Sequence, residues 1–168
     1  TSEREFSAGG QTRSVVADNT LAEYDRAVEI PNVGRYRAAL YATFTTPAVA
    51  VLGETFNPVA DTTPAEIARR TLARVESLEP PERTGETTLP FLDGTRTVGL
   101  FETDATLVDG VELSIDLLVT EPVRVGPDFV VGVGGYPTLL PQTNAIETLL
   151  AATTHDEAPP TEQPPATE

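Results

Sequence analysis

Apolar and polar residues alternate with a period of two in several segments of this chain, and two other segments show helical spacing instead. The clearest alternating run lies between residues 34 and 49. One side of it carries Tyr36, Ala38, Leu40, Ala42 and Phe44. A period of two with aromatic residues is typical of a β-strand. A chain with this pattern must build its core around a sheet.

Further strand-like runs lie on both sides of the first helical segment. One precedes it, from Arg13 to Ile30, and four follow it as a meander at about Thr87–Leu92, Arg96–Leu107, Val111–Val123 and Phe129–Tyr136. Turn signals separate the later runs at Asp93-Gly94, Asp109-Gly110 and Gly126-Pro127-Asp128. Asp-Gly is a strong signal for a tight hairpin turn. The one-sided apolar pattern indicates an antiparallel sheet with one face covered.

Two segments have the signature of amphipathic helices. Thr63 is suited to cap the first, Pro64 suits its first turn, and Glu66 completes a capping box. This predicts a helix near 64–77. In the second, Asn144 is the expected cap before an apolar stripe, which predicts a C-terminal helix near 144–153. The predicted fold class is α+β: an antiparallel β-sheet of about six or seven strands with both helices packed on it.

The length of 168 residues suits a single domain. We expect one α+β domain over residues 1–154. The segment 155–168 is acidic, rich in proline and poor in apolar residues. Such a segment buries too little apolar surface to offset its ordering entropy, so we expect a disordered tail there.

Charge restricts the partners that this chain can take. It has 26 acidic residues against 11 basic ones, a net charge of −15, and all of its basic residues are arginine. Such a surface repels phosphate groups, so nucleic acid is excluded as a partner. In concentrated salt the self-repulsion is screened. Acid excess without lysine therefore indicates a protein from an extreme halophile, and the alternative is an ordinary acidic protein.

Few residues are suited to chemistry. Cysteine is absent, which excludes thiolate zinc sites and a cysteine nucleophile. The glycines Gly132, Gly134 and Gly135 lack the lysine and the following helix of a phosphate-binding loop, so we interpret Gly132 and Gly134 as the mark of a strand face on which a helix packs closely, or of a bulge. The single histidine, His155, is expected to be solvated in the tail. No cofactor is expected, and no apolar stretch is long enough for a membrane helix.

Acidic residues could converge on one hairpin of the meander. They are Glu102, Asp104, Asp109, Glu112 and Asp116. In an acidic protein such residues usually form a solvated face. Calcium binding and glycoside hydrolysis by a carboxylate pair are the alternatives.

A partner surface is expected at the connection between the clear strand and the first helix. The segment from Ala48 to Pro64 is long for a connection, and its apolar residues argue against disorder. Either these residues plug an edge of the core, or the connection forms one wall of a groove. In the second case Phe56 is the anchor, Asn57 is a polar contact, and Arg69 and Arg70 flank them. The tyrosines Tyr24, Tyr36, Tyr41 and Tyr136 could also line a binding surface.

Two long stretches carry a family resemblance. The segment Leu21–Arg70, notably "YATFTTPAVAVLGETFNPV", and the segment Glu121–Pro137 resemble an uncharacterised family of haloarchaeal secreted lipoproteins. That resemblance implies a cell-surface location and a lipid anchor upstream of Thr1, whose cysteine is not in this sequence. The order of strands, helix, meander and helix is similar to that of PsbP-like domains, which implies a non-catalytic accessory module.

These observations favour an accessory or binding domain at the cell surface or outside the cell, with an unknown protein or small molecule as its partner. A glycan-directed hydrolase that uses a carboxylate pair is the alternative. A structural subunit of a surface assembly is the third interpretation.

Overall fold

Antiparallel strands and two short helices account for most of the described chain. The computed structural model describes residues 2–8, 11–17, 20–30, 34–51, 54–57, 59–73, 78–106 and 112–155. The strands are β1 (Ser2–Ala8), β2 (Gln11–Ala17), β3 (Thr20–Ile30), β4 (Gly34–Pro47), β5 (Val49–Val51), β6 (Glu54–Phe56), β7 (Glu82–Phe91), β8 (Gly94–Thr106), β9 (Glu112–Thr120), β10 (Val123–Val125) and β11 (Asp128–Pro137). The helices are α1 (Pro64–Leu72) and α2 (Thr143–Ala151).

One sheet of seven strands forms the centre of the fold. Its order is β3-β4-β11-β9-β8-β7, and β10 pairs with β11 beside this path. The predicted α+β class and the predicted number of strands are therefore confirmed. The later strands form the expected meander. Pairing of β4 with β11 then joins the N-terminal part of the sheet to the last strand of the meander.

The two helices cover opposite faces of this sheet. On β9, Leu118 packs in a cluster with Ile146 and Leu150 of α2, whereas its neighbours Leu117 and Val119 pack with α1. Side chains of a strand alternate between the two faces, so each helix has its own core layer. The prediction that both helices pack on the sheet is confirmed, whereas the expectation that only one face is covered is wrong, because α1 and α2 each cover a different face.

Helix α1 begins with the capping box that the sequence predicts. The Thr63 hydroxyl accepts a hydrogen bond from the Glu66 backbone amide, and the Glu66 carboxylate accepts one from the Thr63 amide. The helix extends to Leu72, with Ala73 as its C-terminal cap. Residues 74–77, at the predicted end of this helix, lie outside the described residues.

The predicted cap of α2 is wrong. Helix α2 spans Thr143–Ala151, and its N-terminal cap is Gln142 without a side-chain capping bond, so Asn144 lies inside the helix. The apolar stripe is correct, since Ile146 and Leu150 are fully buried against the sheet. Packing of these two side chains sets the start of the helix, which outweighs the intrinsic capping preference of Asn144.

The glycine-rich run is a strand face that receives a helix, as expected. Gly132 and Gly134 lie on β11 beneath α2. A methyl group on Gly132 would lie 2.8 Å from Leu150 Cδ2, and one on Gly134 would overlap Ile146 Cγ2. The absence of side chains at these positions lets α2 approach the sheet closely.

The first hairpin turn of the meander lies one residue earlier than predicted. Phe91 pairs with Gly94, so the two turn residues are Leu92 and Asp93, and Leu92 has a φ of 55°. Phe91 and Val98 are fully buried in one cluster, and their burial fixes the register of the hairpin. The second predicted turn, Asp109-Gly110, lies outside the described residues.

Within the connection from Ala48 to Pro64, β5 and β6 pair as a short antiparallel hairpin. One further expectation is wrong. His155 is not a solvated tail residue. Its Nε2 lies 3.1 Å from Asp128 Oδ2, and both side chains are only 16% exposed. The domain boundary at 154 stays a prediction, and residues 156–168 lie outside the described residues.

Candidate functional site

An apolar groove lies between the edge strand β3 and helix α2. Its volume is about 400 Å³. It is lined by Tyr24, Asp25, Arg26, Ala39, Tyr41, Ala145, Ile146, Thr148 and Leu149. The groove exists because α2 contacts β4, β7 and β11, with β3 beside it at the sheet edge. This volume falls in the range of small-molecule sites.

Two tyrosines form the aromatic part of the groove. Tyr24 of β3 lies directly opposite Tyr41 of β4, which in turn pairs with Gly134 beneath α2. Their ring centroids are 6.5 Å apart, with 27° between the planes. Tyr41 is buried, whereas Tyr24 is 59% exposed. An exposed ring stacked on a buried one offers a preformed apolar surface to a ligand.

The hydroxyl of Tyr41 is held by the segment that follows α2. It lies 2.5 Å from Thr153 Oγ1, and Thr153 Oγ1 donates to the Leu149 carbonyl at 2.8 Å. Thr153 has a single hydroxyl proton, so Tyr41 is the donor in the bond between them. Burial raises the pKa of Tyr41 to about 12, and the nearby Tyr24 adds to this rise, although the bond to Thr153 opposes it. Tyr41 therefore stays neutral and fixed at physiological pH.

Arg26 stands at one end of the groove. Its guanidinium donates to the side-chain oxygen of Gln142 at 3.1 Å, although the two residues are 116 positions apart in the chain. Arg26 pairs with Ala39, which packs under α2, so both Tyr24 and Arg26 face the groove. The sequence offers Tyr24 and Tyr41 as separate candidates, but it carries no signal that brings them together with Arg26.

The predicted partner contacts lie elsewhere. Phe56 belongs to β6, and its side chain lies outside the described residues. Asn57 is buried: its amide nitrogen donates to the Thr46 carbonyl and its oxygen accepts from the Val59 amide, both at 2.9 Å. These bonds tie the end of the β5–β6 connection to β4. A contact between Asn57 or Phe56 and a partner stays a prediction.

Arg69 and Arg70 are exposed in the last turn of α1. Arg69 donates to the Ala65 carbonyl within the same helix, at 3.3 Å. Because α1 covers the face of the sheet opposite to α2, these two arginines are not part of the groove. Their role in binding stays a prediction as well.

The described acidic residues of the meander lie in a solvated region: Glu102, Asp104 and Glu112 are exposed and Asp116 is half-buried. Glu102 lies opposite Asp116 on the neighbouring strand, and Asp104 accepts a hydrogen bond from Ser114 at 2.6 Å. Asp109 lies outside the described residues. Among the described residues, no group of three or more acidic or histidine side chains is arranged to hold a metal ion.

A small depression of about 240 Å³ lies beside this region. Its charged lining consists of Glu79, Glu82, Arg83, Glu102 and Asp104. All four carboxylates are exposed to solvent. General acid catalysis by a carboxyl group usually depends on burial that keeps it protonated, and this depression does not supply it.

No helix in the described part of the chain is long and apolar enough to cross a membrane.

Comparison with known proteins identifies the family but not an activity. No curated protein matches the sequence. One family of sequences, described as a domain of unknown function, matches residues 1–154, which is most of the chain. The chain is therefore a member of the family of domains of unknown function DUF6517.

Proposed function

We propose that this chain is a non-catalytic binding domain whose ligand site is the groove between β3 and α2. The observation that carries the proposal is the exposed Tyr24 ring, stacked on the buried Tyr41 at the mouth of an apolar groove of about 400 Å³. Large exposed aromatic rings are costly to leave in water and are typical of binding surfaces. The ligand is a small apolar molecule or an apolar group of a larger one.

The setting that we propose is the cell surface of a halophilic archaeon. The net charge of −15 and the complete absence of lysine support a halophilic origin. The segments that resemble haloarchaeal secreted lipoproteins support an extracellular location with a lipid anchor upstream of Thr1. The likeness to PsbP-like domains in element order supports an accessory role.

The glycan-directed hydrolase is the weaker alternative. Its best candidate site is the depression that contains Glu79, Glu82, Glu102 and Asp104, in which the carboxylates are exposed. A structural role in a surface assembly would use exposed apolar residues. Leu139 is the most exposed of these, at 82%, and the adjacent Leu140 is 38% exposed. The groove offers a more specific binding surface than either feature, because it combines shape with an aromatic floor.

Titration with phenylnaphthylamine, a neutral apolar fluorophore, tests the proposal. We expect one saturable site in the wild-type protein and about tenfold weaker binding after Tyr24→Ser, because the exposed ring supplies much of the contact area. Leu21→Ser is the matched control. Leu21 is 54% exposed on the same strand, but it faces the side of the sheet that α1 covers.

The two variants separate a specific site from general surface adhesion. Equal losses in Tyr24→Ser and Leu21→Ser, or no saturable binding by the wild-type protein, would refute the groove as the ligand site. Thermal melting of both variants in the same buffer verifies that they fold.

A further inference from the structure

The groove continues beyond Arg26 into a second depression of different chemistry. This depression has a volume of about 460 Å³ and is lined by Arg26, Pro141, Gln142, Thr143, Asn144 and Ala145. Arg26 and Ala145 line both depressions, so the two are contiguous. Together they form one elongated site along α2, from Gln142 to Leu149.

The two halves of this elongated site differ in polarity. The half that contains Tyr24 is lined by the rings of Tyr24 and Tyr41 and by Ala39, Ile146 and Leu149. The other half is lined by the polar residues Gln142, Thr143 and Asn144, and the Thr143 hydroxyl is hydrogen-bonded to the Tyr136 hydroxyl at 2.7 Å. A ligand that fills both halves must therefore carry an apolar body and a polar head.

The charged side chain where the two halves meet determines which charge the polar head of the ligand should carry. Among the described residues that line the two halves, Arg26 is the only basic one. Its guanidinium has five N–H donors, and its described bond is to a neutral acceptor, the Gln142 oxygen. Asp25 also lines the groove, but strand alternation directs its side chain away from the face that Tyr24 and Arg26 share. A planar guanidinium is suited to a carboxylate or sulfonate head.

We infer that the elongated site takes an anionic amphiphile, with its apolar body on Tyr24, Tyr41 and Leu149 and its head group on the guanidinium of Arg26. This inference rests on the proposed function, since it specifies the ligand of the same groove. The net charge of −15 repels anions at long range. In about 1 M salt that repulsion is screened within about 3 Å, so the direct contact with Arg26 determines the preference.

Two fluorophores that share one aromatic body test the inference. Anilinonaphthalenesulfonate carries a sulfonate, and phenylnaphthylamine lacks it. In about 1 M potassium chloride we expect the wild-type protein to prefer the sulfonate. Arg26→Gln should weaken the binding of the sulfonate by about three- to tenfold more than the binding of the neutral compound, because only the charged head meets the guanidinium. Tyr24→Ser should weaken both.

Arg124→Gln is the matched control for the loss of one positive charge. Arg124 is exposed on β10 and donates to the Gly126 carbonyl, away from both depressions. A loss of sulfonate affinity that is equal in Arg26→Gln and Arg124→Gln would overturn the inference, since it would report net charge alone.

The outcomes also separate this inference from the proposed function. If phenylnaphthylamine binds at the Tyr24 site and Arg26 adds nothing to the affinity for the sulfonate, the inference of an anionic head group is wrong. The proposal that the groove binds apolar ligands then still holds. If neither fluorophore binds, both the inference and the proposed function are wrong. Unchanged melting temperatures of the variants exclude unfolding as the cause of a loss.

Discussion

The hydroxyl group of Tyr41 is shielded from water, and this makes the stability of the protein sensitive to alkali. The Tyr41 ring is buried, its hydroxyl bonds to Thr153, and burial raises its pKa to about 12. In the unfolded chain the same group titrates near 10. The folded state therefore holds this proton more tightly, and its contribution to stability is complete below about pH 10 and is lost as the pH rises towards 12.

The prediction is an alkaline loss of stability that depends on Tyr41. Between about pH 10 and 12 the free energy of unfolding should fall by up to about 1.4 kcal/mol per pH unit from this group. In Tyr41→Phe that fall should disappear, at a cost of about 1 kcal/mol at neutral pH for the lost hydrogen bond. Urea denaturation from neutral to alkaline pH measures both. Curves of wild type and variant that stay parallel would contradict it.

Glycines on the strand face beneath α2 give a second prediction at the residue scale. Gly134→Ala places a methyl group on Ile146, and overpacking of this kind costs about 1–3 kcal/mol. Gly85→Ala is the control, since its nearest neighbour, Leu100 Cδ1, would lie at an ordinary 3.8 Å. Chemical denaturation should show a large loss for Gly134→Ala and little change for Gly85→Ala. If the two losses are similar, α2 does not require a bare strand at Gly134.

At the scale of elements, α1 is the segment that depends most on local sequence. Its capping box comprises Thr63 and Glu66, and hydrogen bonds from Thr63, the backbone amide first, lower the pKa of the Glu66 carboxyl. Because the folded pKa is depressed, the contribution of the charged box is present at neutral pH and is lost as the pH falls below the ordinary range of a glutamate.

The prediction for this element is that Thr63→Ala lowers stability by about 1 kcal/mol at neutral pH, because one N-terminal amide of the helix loses its acceptor. The deficit should shrink in part in acid, because the hydroxyl of Thr63 also donates to the Glu66 carboxylate, and protonation of Glu66 removes that one bond from the wild type. Thr148→Ala in α2 is the control, since that exposed hydroxyl bonds to a carbonyl within its own helix. Denaturation at neutral and acidic pH measures the difference. A deficit that is independent of pH would show that the bond from the Thr63 hydroxyl to the Glu66 carboxylate adds nothing to stability.

Local signals explain which elements could be predicted from the sequence. The capping box of Thr63 and Glu66 lies within four consecutive residues, so the sequence alone predicts α1 and its first residue. The turn at Leu92 was misplaced because buried Phe91 and Val98 set the register of the hairpin, and burial is a property of the whole sheet. The candidate groove could not be assembled for the same reason: Arg26 and Gln142 meet across 116 positions.

At the scale of the whole molecule, repulsion between acidic residues lowers stability, both between neighbouring strands of the sheet and over the surface as a whole. Glu82, Glu102 and Asp116 lie directly opposite one another on β7, β8 and β9. Like charges in such cross-strand positions are destabilising. Together with a net charge of −15, this row gives a fold that screening by salt should stabilise.

We expect the melting temperature to rise steeply as salt increases from dilute buffer to about 1 M. Glu102→Gln should raise the stability in dilute buffer by roughly 0.5 kcal/mol, because it removes the central charge of the row, and this gain should vanish at about 1 M salt. Glu86→Gln is the control, because Glu86 forms an ion pair with Arg83 and its loss brings no such gain. A melting temperature that does not change with salt would contradict the prediction.

The pairing of β4 with β11 has a consequence for how the chain is made. Pro47 of β4 pairs with Asp128 of β11. About eighty further residues must therefore be synthesised after β4 before its partner strand begins. Until β11 has left the ribosome, β4 has β3 on one side and an unsatisfied row of backbone amides and carbonyls on the other. Contacts of such long range slow folding, and an open strand edge invites pairing with other chains. The risk of aggregation is therefore greatest during synthesis, while the N-terminal half has emerged and β11 has not.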